Sequence, residues 1–213
     1  MAANGFKLLG MYPNILPCFF VCINKMSRKI AVAITGASGS VYAKQLINKL
    51  LAYVPQSIAE LSVVMSENAR TVWEHECGDN SYKNLPVKHF EKNDFMAPFA
   101  SGSSTYDTLV VCPCSMGTLG RIAGGISDDL ITRAADVMLK ERRKLVLMVR
   151  ETPYNLIHIR NMEQVTLAGG VILPCTPSFY NNPKNIEEVL STVTDRVITM
   201  LGLAQHPNPW KEN

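Results

Sequence analysis

The chain has 213 residues, of which 47% are hydrophobic and 18% charged, and a formal net charge of +3. This is the length of one domain with a large core, and the positive charge is too small and dispersed for a nucleic-acid binder. No run reaches the roughly 18 apolar residues that cross a bilayer, and so low a charged fraction predicts apolar surface buried between subunits.

Residues 1–26 differ from the rest. The run 15–23 is apolar but short and broken by Pro17. It has little positive charge before it and no small-residue cleavage site, so it makes a poor secretory signal. It also lacks the arginines of a mitochondrial presequence. Met26-Ser27-Arg28-Lys29 reads as a second start directly ahead of the first strand. The expectation is a loosely attached or spurious extension over 1–26 and one domain over 27–213, in the cytoplasm.

Residues 29–35 read as a buried strand and 40–53 as a helix with apolar Val41, Leu46, Leu50 and Leu51. A strand at 60–65 leads into a helix at 67–77, with Ser66 as its N-cap. Residues 78–106 are polar and rich in turn formers, with one weak strand at 86–90. Then come a strand at 108–112 and a short helix at 115–124. A helix at 129–141 follows, capped by Asp128 or Ser127. A strand at 144–149, a helix at 155–168, a strand at 170–173 and a helix at 185–202 complete the chain. Strands alternating with helices predict an α/β fold, a doubly wound and mostly parallel sheet flanked by helices.

Six cysteines, at 18, 22, 77, 112, 114 and 175, include no CxxC pair and no His at metal-ligand spacing. They read as reduced thiols, with no metal site. Cys112-Pro113-Cys114 reads as a tight turn after a strand rather than a redox pair.

Four segments, together with Arg150-Glu151-Thr152-Pro153, are predicted to converge where open α/β sheets bind ligands, past the carboxyl ends of the strands. Thr35-Gly36-Ala37-Ser38-Gly39 can turn sharply and aim amides at an anion. It is neither a dinucleotide fingerprint, since Ser38 and Val41 stand where glycines are needed, nor a P-loop. The second strand ends in Ser66 rather than an acid that would hold an adenosine ribose, which disfavours NAD and favours a ligand with one phosphate. Cys112-Pro113-Cys114-Ser115-Met116-Gly117-Thr118 repeats the pattern. Pro98-Phe99-Ala100-Ser101-Gly102-Ser103-Ser104 adds hydroxyls. On the helix 128–141, Arg133 and Lys140 share a face, with Asp136 between them; an ion-pair ladder is the alternative. Past the strand 144–149, Arg150-Glu151-Thr152-Pro153 offers a cation for an anion and a carboxylate for a proton, with a surface ion pair as the alternative.

These motifs occur in order with Asp94-Phe95-Met96-Ala97-Pro98, Arg133-Ala134-Ala135-Asp136, Leu139-Lys140-Glu141-Arg142-Arg143 and Pro177-Ser178-Phe179-Tyr180. The set resembles the UbiX-type flavin prenyltransferases from about Lys29 to Trp210. The resemblance implies a Rossmann-like, metal-free flavoprotein that assembles as a dodecamer with sites between subunits. Its reaction would move a dimethylallyl group from dimethylallyl phosphate to reduced FMN, closing a ring between N5 and C6. The prenylated FMN would pass to a UbiD-type decarboxylase, as in quinone synthesis.

By position, Gly36, Ala37, Ser38, Ser66, Ser115, Met116, Gly117, Thr118 and Arg150 would hold FMN. Tyr180 and Arg196 would grip dimethylallyl phosphate, with Arg133 and Lys140 near its phosphate. Glu151 would be the acid–base residue and Glu76 a second carboxylate, with Ser38 beside the reacting ring. Phe95, Tyr180 and Trp210 are candidates for the walls of an allyl pocket. Phe95 stands where the family often has Trp, and residues 77–93 are compressed. Two alternatives are a phosphopantothenoylcysteine-type FMN decarboxylase and a non-catalytic FMN-binding subunit of a decarboxylase. The first needs a His where Asp94-Phe95-Met96 stands. The second needs neither Glu151 nor a second phosphate grip.

Overall fold

The computed structural model describes residues 27–204. Phe19, Phe20 and Ile23 of the extension, and Trp210, lie outside the described residues.

Six strands form one sheet in the order β3-β2-β1-β4-β5-β6, and every neighbouring pair is parallel. They are β1 (Arg28–Ile34), β2 (Ile58–Met65), β3 (Lys88–Phe90), β4 (Thr108–Cys114), β5 (Lys144–Val149) and β6 (Val171–Ile172). The helices are α1 (Ser40–Leu51), α2 (Glu67–Cys77), α3 (Met116–Ala123), α4 (Leu130–Lys140), α5 (Leu156–Leu167) and α6 (Ile186–Met200). This is the doubly wound α/β architecture that the alternation of strands and helices predicts.

The strands read as unbroken apolar runs because both faces of the sheet are covered. Ile30, Val32 and Ile34 point into one core, with Leu46, Leu50, Trp73 and Val197 from α1, α2 and α6. Ala31 and Ala33 point into the other, with Leu119, Leu130, Ala134 and Met138 from α3 and α4. Small residues on that face of β1 let α3 and α4 sit close. Crossovers run one way from β1 to β3 and the other way from β4 to β6, so the order reverses between β1 and β4. That seam is where an open sheet of this kind binds ligands.

Three local expectations are corrected. Cys112-Pro113-Cys114 is not a turn but the end of β4, fully buried, with a register shift against β5 between Val111 and Cys114. The cap of α4 is Asp129, not Asp128 or Ser127. Its Oδ1 accepts from Thr132 N at 2.8 Å, and Thr132 Oγ1 closes a capping box. The segment 98–104 does not follow a strand's carboxyl end. It runs beside α4 and leads to the amino end of β4, where Asp107 N donates to Lys29 O at the start of β1.

Candidate functional site

The ends of β1, β2, β4 and β5 are level, since Ile34 pairs with Met65 and Cys114 with Val149. Just past them the Thr35 hydroxyl joins the two sides of the seam. It donates to Pro113 O at 2.7 Å and accepts from Ser115 N at 2.8 Å. Ser115 then caps α3, accepting from Thr118 N at 3.3 Å, and Ser66 caps α2, accepting from Ala69 N at 3.2 Å. These hydroxyls stand at helix starts on one edge, so each brings further amides with it.

Glycines make the β1–α1 turn fit. A Cβ on Gly36 would lie 2.6 Å from Asn68 Cβ, so any larger residue would push against the first turn of α2. Gly39 has φ +121°, a conformation that side chains disfavour. Gly117 at the start of α3 has no atom within 4 Å of where its Cβ would be, so that helix start opens to free space.

The Ser38–Gly39 peptide is held at both ends by opposite charges. Arg150 Nε donates to Ser38 O at 3.0 Å. Gly39 N donates to Glu76 Oε1 and Oε2 at 3.1 and 2.9 Å, and Ser40 N donates to Oε2 at 2.7 Å. Arg150 comes from the end of β5 and Glu76 from α2, so three elements fix one peptide plane. Ser38 itself is exposed above it, while Ala37, Met116 and Thr118 are buried beneath. Glu151 is half-buried next to Arg150, and its Oε1 accepts from Thr152 N at 3.0 Å.

So one chain brings together Gly36, Ala37, Ser38, Ser66, Glu76, Ser115 to Thr118, Arg150 and Glu151. It does not bring Lys140 to this edge. Arg133 is one turn into α4, bonded to Ala100 O at 3.0 Å and to Asp136 at 3.2 Å. The Asp136 contact is the ion-pair alternative in fact. Lys140 is seven residues further, about 10 Å along the helix, and pairs with Glu141 beside Gly102. At that end Arg143 bonds the carbonyls of Gly102 and Tyr106, and β5 is about to begin. Lys140 therefore stands toward the amino edge of the sheet. Arg196 is exposed on α6, next to Asp195, which pairs with Lys49 near the end of α1. Tyr180, in the segment after β6, is 84% exposed, and Phe95 and Met96 are exposed near Lys29, Glu60 and Lys88.

Burial pushes the Cys112 and Cys114 thiols well up, and Cys175 to about 12. Protonated, buried thiols are poor nucleophiles and poor redox groups. Among the described residues, no group of three or more His, Cys, Asp or Glu side chains gathers as metal ligands. No helix there is long and apolar enough to cross a membrane.

Two residues that matter to the site were not singled out from sequence. Thr35 closes the seam; its signal was a hydroxyl as the last residue of an otherwise apolar run. Arg121 pairs with Asp128 and with buried Asp129, at 2.9 and 3.0 Å. Burial raises the Asp129 carboxyl, but bonds from Thr132 and the Arg121 charge outweigh it and hold the carboxyl below its usual range. That pair fixes the start of α4 against α3.

The flavoprotein family, by its sequence description, matches residues 23–198. The chain is 43% identical over 177 residues to the flavin prenyltransferase UbiX of Methanocaldococcus jannaschii, covering 82% of this chain and 94% of that protein. It is also similar to the solved structure of AnUbiX in complex with FMN and dimethylallyl pyrophosphate. There the TM-score is 0.77 at 40% identity, covering 86% of this chain and 99% of that one. A dodecameric FMN-dependent UbiX-like decarboxylase from Escherichia coli gives a TM-score of 0.79 at 37% identity, covering 86% and 99%.

Proposed function

This chain belongs to the flavoprotein family, and on that premise we propose that it is a UbiX-type flavin prenyltransferase. It moves a dimethylallyl group from dimethylallyl phosphate to reduced FMN, giving prenylated FMN. The observation that carries this reading is the Ser38–Gly39 peptide fixed by Arg150 and Glu76, with Glu151 at its side. The donor set suits FMN. Neutral hydroxyls and amides at the two helix starts Ser66 and Ser115 fit a phosphate monoester and ring carbonyls, and no acid ends β2 to hold a second ribose.

The flavin, when bound, supplies nucleophilic N5 and C6 as the atoms to be alkylated. The rest falls to this chain's residues. Gly36, Ala37, Ser38, Ser66, Arg150 and the Ser115 to Thr118 turn hold the flavin, with exposed Ser38 closest to the reacting edge. Arg133, Lys140, Arg196 and Tyr180 bind the donor. Their cations offset the charge that develops as the allylic phosphate leaves, without a metal. Glu151 Oε1 is committed to Thr152 N, which leaves Oε2 to take the proton shed when the ring closes at C6.

Lys140 stands toward the amino edge and Arg196 is exposed on α6, so a complete site takes residues from more than one copy. The exposed apolar side chains support this. Within α5 only Val165 is buried, while Leu156, Ile157, Ile159 and Leu167 are 52–75% exposed. We read the assembly as a dodecamer, working in the cytoplasm and handing its product to a UbiD-type decarboxylase.

The test is to incubate the protein with reduced FMN and either dimethylallyl phosphate or the diphosphate, denature it, and weigh the released flavin. A gain of one dimethylallyl group is expected. Unmodified FMN with both donors overturns the reading.

A further inference from the structure

The turn after β1 is where a doubly wound sheet binds the diphosphate of a dinucleotide, because the next helix offers free amides and a positive dipole end. In this chain those amides are taken. Gly39, the N-cap of α1, supplies no side-chain cap of its own. Glu76 reaches across from α2, and its two oxygens receive the Gly39 and Ser40 amides at 2.7–3.1 Å. Packing delivers it there. Trp73, one turn earlier on α2, is fully buried, and its Nε1 donates to Asp79 at 3.2 Å. Lys44 of α1 pairs with the same Asp79 at 2.6 Å. The two helices are thus tied together on the side that carries Glu76.

We propose that Glu76 is a built-in anion that fills the diphosphate position of this fold and so selects a flavin with one phosphate against dinucleotides. This rests on the flavin-site reading above. A diphosphate brought to these amides would find its donors used and a like charge in its place. A single phosphate has other helix starts on the same edge, at Ser66 and Ser115, where the caps are neutral hydroxyls and no carboxylate among the described residues competes for the amides.

The full-length protein is compared with Glu76→Ala and Glu76→Gln, using inorganic pyrophosphate as the probe in thermal melting, and FMN and FAD in fluorescence titrations. Without the anion both variants are expected to melt below wild type. Added pyrophosphate should then stabilise them more than it stabilises wild type, because Gly39 and Ser40 are released. FAD affinity relative to FMN should rise about tenfold, a helix-terminus charge effect. A merely structural cap would lower the melting point without creating the anion response. Binding of pyrophosphate at the donor site is common to all three proteins and cancels in the comparison. Glu76→Gln keeps the volume and one acceptor, so it carries the test if Glu76→Ala does not fold. An equal response of wild type and variants to pyrophosphate overturns the proposal. If wild type does not bind FMN, the flavin-site reading fails, while the pyrophosphate comparison still decides the role of Glu76.

Discussion

The carboxyl edge of the sheet and the α4 side of the molecule are built on different terms. On the carboxyl edge, Thr35, Arg150 and Glu76 bond the backbone of other elements, while Ser66 and Ser115 cap the helices that follow them. On the α4 side, Arg133 and Lys140 pair with nearby carboxylates, Arg133 also holds the Ala100 carbonyl, and Phe95 is half-exposed. The first arrangement is complete within one chain. The second is a set of charges and apolar side chains facing outward. The difference fits the proposal that half of this site is a property of the fold and the other half a surface offered to another copy.

The contrast can be broken at several points. The largest effect should come from Glu151→Gln, which keeps shape and loses the base. FMN binding should persist while prenylation falls by about 10²–10⁴, read by turnover against bound flavin. Near-normal turnover would mean another group takes the proton. Next, Lys140→Ala should be inactive alone, and so should Glu151→Gln. Co-expressed in mixed oligomers, the two should regain part of the activity, because some sites then combine an intact Glu151 with an intact Lys140 from different copies. No recovery in verified mixed oligomers would place both residues in one subunit's site.

A smaller effect separates the regions by stiffness. Gly36→Ala drives a Cβ against Asn68 Cβ and should cost about 1–3 kcal/mol, as overpacking does. Gly102→Ala meets the Glu141 carboxylate and, at 2.6 Å, Lys140 Nζ, the far ends of two flexible side chains, and should cost less than about 0.5 kcal/mol, like most surface changes. Denaturant melts that rank the two in the opposite order would undo the contrast. Smallest of all, a protein starting at Met26 should melt and turn over like the full chain. Aggregation or lost activity would show that residues 1–25 pack on the body or on a neighbour.

The strand ends at Thr35, Ser115 and Arg150 were legible in the sequence because buried parallel strands are short apolar runs with sharp stops. The cap Ser66 was legible for the same reason. The choice among Ser127, Asp128 and Asp129 turned on Thr132, whose hydroxyl completes a capping box only with a residue three before it. Cys112-Pro113-Cys114 misled because Pro usually ends a strand; here the ladder shifts register and continues to Cys114. The path of 98–104 could not be read, since a loop's direction is set by the helix it lies along. Nothing local in Tyr180 or Arg196 marks them; they came from resemblance alone. Glu76 likewise came from the resemblance, and its bonds to the α1 amides depend on how α2 packs.

The Thr35 hydroxyl has a consequence for how the molecule breathes. The paired register of β1 and β4 runs to Ala33 and Val111, and Thr35 bridges the seam beyond it with one buried and one part-buried bond. The Ser115 amide that it receives is therefore shielded unless the two halves of the sheet part. Its exchange with deuterium should follow the slow, sub-global openings of the core rather than the quick fraying of a surface turn. A crevice floored this way does not gape to admit its occupant, and whatever enters or leaves must do so by rearrangement of the outer wall.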